Sequence, residues 1–205
     1  MSRSYTKGKR AVQEAETRQR IVEAALALHG EIGPSATTIS MIAERAGVQR
    51  HTVYAHLPDD RAIFLACSSL HAERDALPSP DQWAATNDPE TRLRQALDAL
   101  YGWFARNEQL VAAVLRDAED NATLREISDL RFGQPLGAIF ASLSDGLSHT
   151  QQAALGLALS FHTWRTLVRS AGLATAAAVD LMVRTVDAGD RSVVPEPEDL
   201  ARSMR

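Results

Sequence analysis

Residues 37–57, TTISMIAERAGVQRHTVYAHL, decide the fold that we expect for this chain. A threonine-capped helix ends at Gly47, a second short helix follows, and Pro58 stops it. Ala43 is small enough for two helices to cross closely, and Gly47 can take the left-handed conformation of the turn. The sequence therefore predicts a helix-turn-helix. Its shared core is formed by Ile42, Ala46, Val48 and Val53.

Helical periodicity continues on both sides of this unit. Upstream, Ile21, Ala25, Leu28 and Ile32 share one face of a helix that ends at Gly33-Pro34-Ser35, with Thr17 as its N-cap. Downstream, no strand-like alternation of useful length occurs. We predict an all-α chain in which a three-helix DNA-binding domain precedes a helical C-terminal domain. The predicted downstream helices are Pro89–Leu115, Leu124–Leu143, Gln151–Ala171 and Thr175–Ala188.

This reading divides the chain into four segments. They are a flexible basic arm (1–15), the helix-turn-helix domain (16–58), a helical regulatory and dimerisation domain (59–190) and a flexible tail (191–205).

Charge is unevenly distributed along the 205 residues. The net charge is −4, yet residues 1–57 carry eight basic and five acidic residues, which leaves −7 for the remainder. A basic N-terminal part favours a polyanionic partner, although an excess of three is a weak signal. The N-terminus is polar and the apolar runs are short, so we expect a cytoplasmic protein without a membrane partner.

The single cysteine excludes an intrachain disulfide and a cysteine metal cluster. Cys67 lies on an apolar stripe with Phe64 and Leu70, so we interpret it as a buried thiol rather than a redox sensor. No metal site and no cofactor are predicted.

Three segments resemble the TetR family of regulators: RIVEAALALHGEIG (20–33), TTISMIAERAGV (37–48) and TVYAHLP (52–58). The resemblance implies that the third helix reads DNA, the first braces it, and the last two long helices form a dimer interface. Two positions depart from the family pattern. Leu57 stands where phenylalanine is usual, and Asp60 stands where a basic residue often meets phosphate, with Arg61 following.

Side chains of the second helix that the core does not need are candidates for base contact. Arg50 suits guanine, Gln49 suits adenine or a phosphate, and Ala55 suits a thymine methyl. The resemblance assigns Tyr54 to the DNA backbone. The alternative for such residues is a solvated helix face. The full set of predicted DNA contacts is Thr37, Thr38, Gln49, Arg50, His51, Tyr54, Ala55 and Arg61.

Aromatic and polar residues on two downstream helices are the candidate lining for an unidentified small-molecule effector. Ordinary core packing is the alternative for each aromatic, and pairing with acidic neighbours is the alternative for the polar residues. This candidate lining consists of Trp103, Phe104, Phe161, His162, Trp164 and Arg165.

Together these features predict a homodimeric repressor that a small molecule releases from a palindromic operator in double-stranded DNA. A ligand-independent regulator, an activator, and a protein-binding module that no longer reads DNA remain alternatives. An enzyme is not expected. The chain contains no zinc-protease HExxH motif, phosphate loop, dinucleotide fingerprint or nucleophile elbow.

Overall fold

The computed structural model describes residues 2–189, and of residues 2–8 only the helical backbone. In this described part the chain forms helices joined by turns and loops, and no strand, which confirms the predicted all-α class. A 3-10 turn lies at Pro80–Gln82, and π-helical turns lie at Asp129–Gly133 and Thr166–Ser170. The α-helices are α1 (Ser2–Ile32), α2 (Ile39–Ala46), α3 (Arg50–His56), α4 (Asp60–Arg74), α5 (Pro89–Ala118), α6 (Ala122–Ser128), α7 (Gln134–Leu143), α8 (His149–Ala158), α9 (Phe161–Arg165) and α10 (Thr175–Ala188).

Helix α1 is longer than the hydrophobic pattern indicated. Residues 2–15, which we assigned to a flexible arm, continue the helix towards the N-terminus. Thr17, the expected N-cap, lies inside α1, where its hydroxyl donates to the carbonyl of Gln13 at 2.8 Å. Helix-favouring residues and an Arg10–Glu14 ion pair at i,i+4 extend the helix, and residues 9–16 are all exposed. The predicted tail, 191–205, falls outside the described residues.

Contacts divide the chain into two units, and α5 contributes to both. The first unit contains α1 to α4, Ala105–Ala118 of α5, and α6 with the π turn after it. The second contains residues 78–104 and the chain from Leu136 onward. Helix α4 lies in the predicted regulatory segment, 59–190, but packs in the first unit with the helix-turn-helix.

One apolar core holds the first unit together. Ile21 of α1 and Val53 of α3 are fully buried, and Ile42 of α2 is almost so. Helices α4 and α6 enter the same core. Their buried members are Ile63, Phe64, Cys67, Leu70, Leu124 and Ile127.

In the second unit, α8 packs against α10. The predicted helix over Gln151–Ala171 is interrupted, because α8 ends at Ala158 and the Ser160 hydroxyl accepts the His162 N–H (3.2 Å) at the start of α9. Serine competes with the helix for backbone hydrogen bonds and so begins a new one. The last predicted helix, Thr175–Ala188, is confirmed at both ends.

Candidate nucleic-acid interface

A capped helix, a glycine turn and a second helix form the predicted motif. The Thr38 hydroxyl accepts the Met41 N–H at 3.3 Å and so caps α2. Gly47 ends α2 with φ 66° and ψ 38°, a left-handed conformation that a side chain would disfavour. The Val48 N–H then returns to the Ala43 carbonyl at 2.9 Å, which closes the turn before α3.

Helix α3 has one buried side and one exposed side. Val53 is fully buried against the first unit's core, as its position in the motif predicted. The opposite side projects from the unit, and 46% of the Tyr54 surface is exposed. Among the described residues, Arg50 and His51 form no ion pair. The side chains exposed on and just before this helix are Gln49, Arg50, His51, Tyr54 and Ala55.

The threonines before α2 are already engaged with the backbone. Thr37 is partly exposed, and its hydroxyl donates to the Gly33 carbonyl at 2.8 Å. Thr38 is exposed and accepts a backbone hydrogen bond as the cap. The hydroxyl proton of Thr38 and the first amides of α2 therefore remain the groups available to an anion.

Arg61 does not extend freely into solvent. Its guanidinium lies 2.8 Å from the Glu126 carboxylate of α6, and this contact raises the pKa of Arg61. Both side chains are more than half exposed. Beside it, the Asp59 carboxylate accepts the Ala62 N–H at 2.7 Å and caps α4. A phosphate that reaches Arg61 therefore competes with Glu126 for the guanidinium.

In the second unit, the structure gathers the four aromatic residues predicted to line a ligand site. The Phe104 ring lies 5.4 Å from that of Phe161 and 5.8 Å from that of Trp164, measured between centroids. Trp103 meets Phe104 edge to face at 5.9 Å. All four are buried, and the indole N–H of Trp164 has no hydrogen-bond partner among the described residues.

The two polar members of that predicted lining lie at its exposed side, where the His162 ring meets the Phe161 ring edge to face at 5.7 Å. His162 and Arg165 are exposed, whereas Phe161 and Trp164 are buried. Phe161 and Trp164 are three positions apart, and so are His162 and Arg165. Each polar residue comes one position after an aromatic one, and one position turns an α-helix by ~100°. The same spacing thus places them on different faces.

Cys67 is buried, and burial raises the pKa of its thiol to about 12. It therefore stays protonated and unreactive, as the apolar stripe predicted.

Over residues 2–189 no helix has the length and apolar character that a bilayer crossing needs. The same stretch contains no cluster of three or more histidine, cysteine, aspartate or glutamate side chains suited to a metal ion.

Sequence reasoning missed two side chains that support the motif. Asp117 of α5 accepts the backbone N–H of Ser35 at 2.8 Å, and Arg20 of α1 donates to the Ala46 carbonyl at 3.4 Å. The only signal for Arg20 is its place on α1 one position before the buried Ile21. Asp117 lies 82 residues from Ser35, and no local pattern indicates that contact.

Comparison with known proteins agrees with this geometry. A family model described as bacterial regulatory proteins of the tetR family matches residues 21–67. The HTH-type transcriptional repressor Rv1474c of Mycobacterium tuberculosis is 28% identical over 117 residues, 48% of this chain. Over residues 21–67 the chain is therefore similar to the TetR family of regulators. The matched segment spans 63% of Rv1474c, less than two thirds of that relative.

Solved structures of TetR-like proteins share the fold over most of the chain. A TetR-like regulator from Rhodococcus sp. RHA1 has a TM-score of 0.63 and 18% identity, covering 86% of this chain and 96% of its own. FadR of Bacillus subtilis, solved with stearoyl-CoA, has a TM-score of 0.60 and 16% identity over 83% of this chain and 98% of its own. At these identities the likeness concerns the fold alone.

Proposed function

We propose that this chain is a cytoplasmic, dimeric transcriptional repressor that binds palindromic DNA and is released by a small molecule. The observation that carries the proposal is the two-sided α3. On its buried side Val53 packs into the core of the first unit, and on its exposed side lie side chains that suit base edges.

Reading by α3 is supported by the chemistry of its exposed side. Arg50, which forms no ion pair within the described part of the chain, is a planar cation of the kind that most often recognises guanine in the major groove. Ahead of α2, the capped N-terminus presents Thr38 and backbone amides where a phosphate would bind. Phosphate contacts set the register and α3 reads the bases.

A dimer is supported by helices α8 and α10, which pack together in the second unit. Leu157 on α8 is 61% exposed, and a second copy of the chain would cover it. Two copies place two α3 helices on half-sites ~34–36 Å apart, which doubles the sequence read. Leu157→Glu should shift the protein towards monomer in light scattering and weaken operator binding, whereas Glu119→Gln, an exposed change in the first unit, should not.

The effector site that we propose is the aromatic cluster around Phe104 and Trp164. Its burial favours a mainly apolar ligand, and the indole N–H of Trp164 would donate to one acceptor on that ligand. FadR, which has a similar fold, was solved with stearoyl-CoA, a ligand with a long apolar chain. Stearoyl-CoA is therefore the first probe to add to the protein–DNA complex, with free coenzyme A as the matched control.

Fluorescence anisotropy with the DNA upstream of the chain's own gene tests the proposal. Specific binding should resist unrelated competitor DNA and weaken steeply with salt, because each neutralised phosphate releases condensed counterions. Equal, weak binding to both DNAs would indicate a distant operator, a co-purified effector or a module that does not read DNA. Repeating the titration after refolding from denaturant removes a co-purified effector and separates that case from the other two.

A further inference from the structure

The turn between α1 and α2 determines where the N-terminus of α2 lies. Gly33 leaves α1 with φ 94°, and the Thr37 N–H donates to the Pro34 carbonyl at 3.2 Å. The Thr37 hydroxyl closes the same turn onto the Gly33 carbonyl. Thr38 follows as the cap of α2. Any displacement of this turn therefore moves the phosphate-binding groups of the proposed function.

A carboxylate from α5 holds this turn from outside. One oxygen of Asp117 accepts the Ser35 N–H at 2.8 Å, and the other accepts from the guanidinium of Arg116 at 2.8 Å. Only 8% of Asp117 is exposed. Burial raises the pKa of this carboxyl, but the hydrogen bonds from Arg116 and Ser35 lower the pKa by more than burial raises it. The pKa is therefore lowered overall, and Asp117 remains charged. A buried carboxylate is stable only when such donors satisfy it.

The surroundings of Asp117 are shaped to admit it. A Cβ on Gly33 would lie 2.7 Å from a carboxylate oxygen of Asp117, so a side chain there would push the carboxylate away. Beneath the turn, His29 is 4% exposed and packs on the Phe64 ring. The close approach of Asp117 to the turn therefore needs a glycine at position 33. The carboxylate of Asp117, its two donors and the buried His29 pack together around the turn.

We propose that Asp117 is a positioning residue for DNA binding, which holds the α1–α2 turn so that the α2 N-terminus and α3 meet the DNA together. This inference rests on the proposed function. Asp117 touches no base or phosphate. It acts through the backbone of Ser35, and through the packing of α3 on α2 it aligns both helices with the DNA.

The test compares three full-length variants. Asp117→Ala removes the acceptor of the Ser35 N–H, and Asp117→Asn keeps an amide oxygen in its place. Asp75→Ala is the matched control. The Asp75 carboxylate also binds α5, accepting from Arg106 at 3.0 Å and from Asn107 at 2.8 Å, but it lies at the end of α4 rather than at the turn.

Operator affinity is measured at a temperature at which circular dichroism shows each variant folded. Hydrogen exchange of residues 33–41 is followed in the same proteins without DNA. We expect Asp117→Ala to weaken operator binding about ten- to a hundredfold, the effect of one lost hydrogen bond to a charged acceptor. Asp117→Asn should retain most of the wild-type affinity for the operator, because its amide oxygen can accept the Ser35 N–H. Asp75→Ala should leave operator affinity within about twofold, and only Asp117→Ala should accelerate exchange in the turn.

Equal losses of DNA affinity in Asp117→Ala and Asp75→Ala would overturn the positioning role and leave only a contribution to stability. Unchanged affinity in Asp117→Ala, with or without faster exchange in the turn, would overturn it as well. In both cases the wild-type protein still binds its operator and the proposed function stands. Failure of the wild-type protein to read any DNA would instead overturn the proposed function and this inference together.

Discussion

His29 should make the free energy of unfolding depend on pH above the range in which most carboxylates of the protein titrate. The side chain is 4% exposed, and burial lowers its pKa from 6.5 to about 4, although the nearby Asp117 charge opposes the shift. The free energy of unfolding should therefore fall as the pH falls from 6.5 towards 4, because only the unfolded chain gains a proton there. Above pH 6.5 the contribution of His29 to the free energy of unfolding is complete, and below pH 4 this contribution is lost.

The expected magnitude follows from the size of the shift. A lowering from 6.5 to about 4 corresponds to about 3 kcal/mol over the whole range. About 2 kcal/mol of this should be lost between pH 7 and pH 5, before most aspartates and glutamates begin to titrate.

The assay is urea unfolding followed by circular dichroism at fixed protein concentration, for the wild-type protein and for His29→Leu. The leucine cannot be protonated, so the difference in unfolding free energy between the two proteins isolates His29. His71, whose pKa burial also lowers, is present in both and cancels. His51→Asn replaces an exposed histidine and serves as the matched substitution control.

Parallel pH profiles for the wild-type protein and His29→Leu would refute the reasoning. They would mean that His29 is protonated in the folded protein, with water or a rearranged Asp117 beside it. A steeper profile in His29→Leu would refute it equally, because the sign of the linkage would then be reversed.

Three further predictions concern the interface and the ligand site. Arg50→Ala should reduce operator affinity by about 1–3 kcal/mol and relax specificity at one base pair, measured by anisotropy with single-substitution operators; an equal loss on every sequence would make Arg50 a phosphate contact. Ala43→Leu should reduce unfolding free energy by about 1–3 kcal/mol, because the added side chain overfills the α2–α3 crossing. Chemical denaturation measures this, and an unchanged midpoint would show that α3 can shift without loss. Trp164→Phe should keep the fold and the operator affinity but weaken release by stearoyl-CoA, since the indole N–H is removed; unchanged release in the same titration would exclude that hydrogen bond.

Local signals were sufficient for the helix-turn-helix. The threonine cap and the left-handed Gly47 depend on neighbours within a few residues, and the small Ala43 and the apolar Val53 follow from their positions in the motif. The structure agrees with all four. The start of α1 was missed because Ser2–Ala15 forms a helix with no hydrophobic face, which periodicity cannot detect.

Contacts between distant segments explain what the sequence could not predict. Asp117 meets Ser35 across 82 residues, and no spacing rule relates them. Among the residues of the candidate ligand lining, aromatic character indicated the burial of Phe161 and Trp164. The side on which His162 and Arg165 lie depends on how the helix is rotated in the fold. The DNA contacts themselves remain predictions.

The ion pair between Arg61 and Glu126 changes how this surface would respond to ionic strength. A free cation that meets a phosphate displaces condensed counterions and adds one increment to the salt dependence of binding. Arg61 already has an anion 2.8 Å away, so moving to DNA exchanges one anionic partner for another and leaves Glu126 to recruit its own cation. A count of basic side chains facing the DNA would thus overestimate the salt slope by about one unit for each subunit. This chain would hold its operator more evenly across changes in cellular salt than its cation count suggests.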